Sequence, residues 1–404
     1  MKRLAAILAL VLVLTAPVWA VNTPLSRPSG PYVSLSPYSL WSTKYILKAE
    51  HGVTWTIHGI SPTGNLAADK SVTVKPSDGT YTTLAGAIAG ELAANADLVS
   101  MAGILNIEIG GTWSSADTAA VNINGFTTSA AYYVNIYTVS PARHAGVWST
   151  SKYNLTVSNA TAIQIRSGYV RIDGLQISVP TQTGTGQDCI DCYFDPGAEV
   201  YLSNCIVKGS NNGTYVQMGY RAYKDAYLWN DIFYNFASIS SDSRVIEIKQ
   251  TSKISSCTVI GGYYGICRAA GTATVKNCYA GGSTNGDYYD CTMTTCASAD
   301  ATGTAGLQGI LVSTTADSTH AGFTNITATT EDFHIKVGSP LMGVGTDTSG
   351  DAAPMNFTTD IDGVAKTTVW DIGADEYVAA GGPVTINNIL IIIGLVCLRR
   401  KRMR

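Results

Sequence analysis

The chain has 404 residues, 46% of them hydrophobic and only 14% charged, with 40 Gly and 22 Tyr. An average soluble domain is roughly 25% charged, so a Glu/Lys-rich coiled coil, a helical bundle and a charge-driven disordered chain are excluded. Basic residues gather at the two ends. The body from about Val21 to Gly382 carries 19 Lys and Arg against 29 Asp and Glu, a formal −10. That balance argues against nucleic acid as a partner, because a phosphate backbone demands a basic stripe.

In chain order, Lys2 and Arg3 precede an apolar run from Leu4 to Thr15, followed by Ala16-Pro17-Val18-Trp19-Ala20. This pattern predicts a secretory signal peptide over residues 1–20. Residues 21–75, rich in Ser, Pro, Gly and Tyr, read as a leader without an assigned fold. From Thr83 to Leu98 apolar residues recur at helical spacing and predict an amphipathic helix. Strands are predicted at 104–109, 119–123 and 132–138. Export permits disulfides. However, the Cys189/Cys192 pair, the Cys291/Cys296 pair and the five scattered histidines lack the ligand spacing of a zinc site.

A repeat then runs from about Asn154 to Val312. IDGLQI (172–177), LSNCIV (202–207), LWNDIF (228–233), ISSCTV (254–259) and VKNCYA (275–280) align on Leu175, Cys205, Asp231, Cys257 and Cys278. Upstream of each lies a second alternating segment: AIQIR, CIDCY, YVQMG, VIEIK and YGICR, beginning at 162, 189, 215, 245 and 264. Short alternating strands with a period in the twenties and no helix between them signal a β-solenoid. Alternation points Ile163, Ile165, Ile190, Cys192, Val216, Met218, Ile246, Ile248 and Cys267 inward. Gly174, Asn204, Asn230, Ser256 and Asn277 fall at a sharp bend, where Asn tolerates a left-handed backbone. Cys205, Cys257 and Cys278 read as small buried hydrophobes. Asp231, in the same register, contradicts the pattern.

On these residues the chain resembles the right-handed parallel β-helix superfamily of pectate lyases, polygalacturonases and phage tailspikes. The resemblance implies an all-β solenoid over residues 76–378 with the 83–98 helix capping its first coil. FHIKVGSPLMGVG (333–345), DIDG (360–363) and DIGADEY (371–377) resemble the segment that ends the last coil of many bacterial surface β-helix proteins. Residues 379–404 combine Gly381-Gly382, a short apolar run and the basic cluster Arg399 to Arg404. They resemble a C-terminal sorting or anchor tail and imply secretion with retention at the bacterial surface and a membrane contact.

In the enzymes of that superfamily, substrate lies over an exposed face of stacked strands. Here the outward residues of the upstream strands form two ladders, Gln164, Asp191, Gln217, Glu247, Ile266 and Arg166, Tyr193, Gly219, Lys249, Arg268. Asp191 and Glu247, two coils apart, would sit about 9.6 Å from each other, at the upper end of the separation an inverting glycosidase uses. Lys249 and Arg268 could take an α-proton from an acidic sugar, with Arg166, Tyr193 and Gln217 binding the substrate. The bland reading is cross-strand pairing of opposite charges. Asp188, Asp191 and Asp195 could offer oxygens to Ca²⁺, though no cofactor is required. The Gly-His-Gly and Asn-Thr-Asp motifs of polygalacturonases are missing. The favoured expectation is a surface scaffold or adhesin that binds a polysaccharide or other glycan. The alternatives are a polysaccharide lyase or inverting hydrolase, and a tailspike-like receptor-binding protein.

Overall fold

Alternating apolar segments of three to five residues stack into three parallel walls. The computed structural model describes residues 23–25, 33–35, 69–193, 198–211, 213–366 and 369–378. The expected signal peptide, most of the expected leader and the expected tail therefore lie outside the described residues. The chain divides into Met1–Leu66 and Ala67–Arg404. In the first unit Thr23–Leu25 (β1) and Val33–Leu35 (β2) pair antiparallel.

The second unit is a right-handed parallel β-helix. Its long wall has nine strands, from Lys70–Val74 through Val170–Asp173, Glu199–Ser203 and Asp225–Trp229 to Thr292–Thr294. A second wall stacks Val121–Ile123, Ile163–Ile165, Ile190–Cys192, Tyr220–Ala222, Arg244–Ile248, Tyr264–Arg268 and Gly286–Tyr289. The third runs from Asn154–Thr156 through Gln176–Ser178 and Ile206–Lys208 to Ala297–Ser298. From Val134–Thr138 to Gly286–Tyr289 each coil visits the long, third and second walls in turn. Period-two alternation sends Ile163, Ile165, Ile190, Cys192, Ile246 and Ile248 into one shared core, all fully buried.

The corner between the long and third walls is where the sequence is most regular. Gly174, Asn204, Asn230, Ser256 and Asn277 all have positive φ, between 49° and 75°. Asn230 Nδ2 donates to Asn204 Oδ1 at 3.1 Å, and Asn204 Nδ2 to Asp173 Oδ1 at 2.6 Å, so the amides chain along the stack. A left-handed backbone costs a residue with a Cβ roughly 1–2 kcal/mol, which Asn offsets through such bonds, as the Thr295 hydroxyl does by donating to Asn277 Oδ1 at 2.6 Å, and an apolar β-branched residue cannot. Asn204→Val is expected to lower stability by about 2 kcal/mol or more, read from the urea midpoint. Thr294-Thr295-Cys296 adds a sixth copy that the sequence pattern missed, with Thr295 at φ 49° and Cys296 buried.

Asp231 is no bulge. It sits fully buried in the cysteine row, and its Oδ1 accepts the Cys205 amide of the preceding coil at 2.8 Å. Cys278 Sγ does the same for the Cys257 amide at 3.4 Å. The register thus selects an acceptor at this corner, and burial drives the Asp231 carboxyl far above its ordinary range, toward the neutral acid.

Two strands are registered differently from the expectation. YVQMG at 215–219 is not the fourth strand of the second wall; Tyr220–Ala222 is, pairing Arg221 with both Asp191 and Glu247. The 215–219 stretch imitates a strand only because its buried polar side chain has loop partners: Gln217 Oε1 accepts the Ser210 amide at 2.7 Å, and its Nε2 donates to Val179 O at 3.0 Å. In Tyr264–Arg268, Ile266 faces Ile246 and Cys267 faces Glu247, the opposite parity from that expected. A one-residue slip turns every side chain to the other face.

The two ends are finished differently. Helix α1, Leu84–Asn95, begins where the Thr83 side chain accepts the Gly86 amide at 3.1 Å, and buries Leu84, Ala87 and Ile88 against the first coils. The solenoid's first strand starts at Lys70, so the leader is shorter than the 21–75 span expected. At the far end the last rung is Thr292–Ser298. The segment after it does not end that coil but folds back over the outer face of the third wall. There Phe323, Phe333, Ile361 and Ile372 pack on Ile206, Ile232, Tyr234 and Tyr279. Side-chain bonds sew it down: Asn230 Nδ2 donates to Thr359 O and Asn277 Nδ2 to Thr346 O.

Candidate functional site

The outward row of the second wall reads Gln164, Asp191, Arg221, Glu247, Cys267. Arg221 is its centre. One terminal nitrogen lies 2.9 Å from Asp188 Oδ2, the other 4.0 Å from Asp191 Oδ1, and Nε lies 3.7 Å from Glu247 Oε2. Glu247 also meets Arg244 directly and Lys249 Nζ at 3.3 Å. The carboxylates are sunk: Asp188 is 0% exposed, Glu247 1% and Asp191 8%. Desolvation lifts Asp188 to about 6 against the pull of Arg221, and raises Asp191 in the same way. Cys267, on the next rung, is pushed up to about 11 by burial.

Over this acidic layer lies a rim of rings and cations. The Arg166 guanidinium stands 4.8 Å from the centre of the Tyr193 ring, and Lys249 Nζ 4.3 Å from that of Tyr223. The two tyrosines meet edge to face at 5.3 Å. Lys249 donates to the Tyr223 hydroxyl at 2.6 Å. Although desolvation pulls the Lys249 amine down, Tyr223 and Glu247 hold it above its ordinary value. Tyr193 keeps 38% of its surface in water.

The structure therefore brings Arg166, Asp188, Asp191, Tyr193, Glu247 and Lys249 onto one face. It does not bring Gln217, which is a buried loop brace, or Arg268. The latter pairs with Asp290 and donates to Asp290 O and Gly271 O, tied to its own turn. Asp195 lies outside the described residues. Arg221, Tyr223 and Arg244 were missed. The signal for Arg221 was in the spacing: Glu247 follows it by the same 26 residues that separate Cys205 from Asp231 and Asp231 from Cys257.

Arg221 also decides what the face can do. The positive charge facing Asp188 and Asp191 is a guanidinium, so the expected calcium ligands already have a cation between them. Asp191 and Glu247 are two rungs apart, but the slot in which an inverting hydrolase holds its water is filled by the same guanidinium. A lysine held charged by a phenol and a carboxylate is a poor base and a good anion binder.

No family model matches the chain, and no curated protein does. Among solved structures it is similar to the crystal structure of pectate lyase Pel9A, with 11% identity and a TM-score of 0.33 over 78% of this chain and 98% of that one. The fold assignment rests on the strand register described above.

Proposed function

We propose that the protein is an exported, surface-retained β-helix that binds acidic polysaccharide on its second wall without cleaving it. The observation that carries this reading is the layering of the face. The carboxylates are buried and engaged by Arg221, Arg244 and Lys249, while Arg166, Lys249 and the Tyr193 and Tyr223 rings form the outer layer. Tyrosine rings supply faces for sugar rings, and the paired cations suit uronate or sulfate groups. Export and retention rest on the sequence of the two termini.

Titration calorimetry of the full chain against polygalacturonate, alginate and a neutral glucan tests this. Binding is expected to the charged polymers alone, to weaken with salt, and to fall at least tenfold in Tyr193→Ala and in Lys249→Ala. No unsaturated or new reducing ends should form. Failure to retain any acidic polymer would remove the reading. Turnover that disappears in Lys249→Ala would replace it with a lyase.

A further inference from the structure

One strand, Asp332–Ile335, and two irregular stretches of the fold-back segment meet around His334. Its Nδ1 lies 2.6 Å from Asp332 Oδ1. Its Nε2 has no hydrogen-bond partner and less than 1 Å² of accessible surface, although the side chain as a whole is 25% exposed. That nitrogen faces Asp362 Oδ2 at 3.4 Å and Asp375 Oδ1 at 3.9 Å. Asp375 is only 5% exposed and is fixed by accepting the Ile335 amide on its other oxygen at 2.8 Å. One ligand atom from each of His334, Asp362 and Asp375 falls within 4.8 Å of the others. Asp360 backs the group, its carboxylate accepting the Asp362, Val364 and Glu376 amides.

This is the arrangement of a metal-ligating histidine rather than of a surface acidic patch. A ligating imidazole characteristically gives its second ring nitrogen to a carboxylate, which fixes the tautomer and ring plane; Asp332 holds that position. With metal bonds of roughly 2.0–2.1 Å, neighbouring ligands of a tetrahedral ion sit about 3.3–3.4 Å apart. The Nε2–Asp362 distance already matches, and Asp375 is half an ångström wide of it. Four carboxylates around one imidazole also leave a negative excess that a divalent ion would neutralise.

We propose that His334, Asp362 and Asp375 bind one divalent transition-metal ion of the zinc class, oriented by Asp332, and that the ion staples the fold-back segment together. One nitrogen and two carboxylate oxygens favour such an ion over Ca²⁺ or Mg²⁺, which take oxygen alone.

Equilibrium dialysis of the full chain against Zn²⁺ alone, with Mn²⁺ and Ca²⁺ in parallel, followed by elemental analysis, tests the site. One Zn²⁺ per chain is expected, with little Ca²⁺. Asp362, on an exposed turn, can be changed without disturbing the core, so Asp362→Asn should fold and lose tenfold or more in affinity. Asp332→Asn should lose about 10–100-fold, the usual cost of removing an outer carboxylate. His320→Gln, altering an exposed Asp–His pair elsewhere, should change nothing. Chelation should lower the melting temperature of the wild type but not of Asp362→Asn. Absence of stoichiometric uptake, uptake unchanged in Asp362→Asn, or uptake lost in His320→Gln would overturn the proposal.

Discussion

Arg221→Ala is expected to destabilise the β-helix by about 3–5 kcal/mol, the cost of leaving buried charges without their partner. Asp188 and Glu247 are almost without solvent, and both Asp188 Oδ2 and Glu247 Oε2 lack any hydrogen bond beyond their ion contacts. The guanidinium is what keeps Asp188 and Asp191 tolerable in one layer, while Glu247 also has Arg244 and Lys249. The sign of the pH dependence follows. The folded pKa of Asp188, about 6, exceeds the ordinary value near 3.9, so its folded state favours the proton. Its contribution is most favourable below about pH 4 and is lost as pH rises through 6. Removing Arg221 raises that carboxyl further, so the variant's deficit should be larger at pH 8 than at pH 4.5. Asp188→Asn combined with Arg221→Ala should recover part of the loss. Urea unfolding at the two pH values checks this, and a loss below 1 kcal/mol at pH 8 would mean that water, not Arg221, solvates the layer.

The coil was legible because burial leaves a period in the sequence. Ile163, Ile165, Ile190, Ile246 and Ile248 are spaced by walls that must hide one face, and the Asn corners by a backbone that few residues tolerate. What the sequence could not carry was register across a loop. Between Lys208 and Tyr220 the chain leaves the wall, and Val216 with Met218 keeps the alternation of a strand while Gln217 braces the loop from within. The true strand, Tyr220–Ala222, has only three residues and an arginine in its middle. The same gap hid Tyr223, one residue beyond that strand. Arg268 was lost differently: Tyr264–Arg268 alternates equally well in either parity, and only the pairing of Ile266 with Ile246 decides which face is outside. The His334 cluster was invisible for a simpler reason, since its ligands lie 28 and 13 residues apart, on one short strand and two irregular stretches that no shared periodicity describes.

Asp231→Cys is expected to stabilise the protein by about 1–3 kcal/mol at neutral pH, the cost of a buried polar group left unpaired, whereas Asp231→Ala should destabilise it. The two substitutions separate the two roles of this side chain. Oδ1 accepts the Cys205 amide, as Cys278 Sγ accepts that of Cys257, so cysteine preserves the bond and alanine orphans the amide and opens a void. Oδ2 has no partner at all, and cysteine removes it. The folded carboxyl lies above its unfolded value, so its contribution is favourable below about pH 4 and deteriorates as pH rises. The gain from Asp231→Cys should therefore be largest at neutral pH and shrink toward pH 4, a trend that a merely better-packed side chain would not produce. Thermal melts of the three proteins across that range read both signs. A cysteine variant no more stable than the wild type at pH 7 would show that Oδ2 is satisfied within the core, and that aspartate is as well suited to this corner as the thiols stacked beside it.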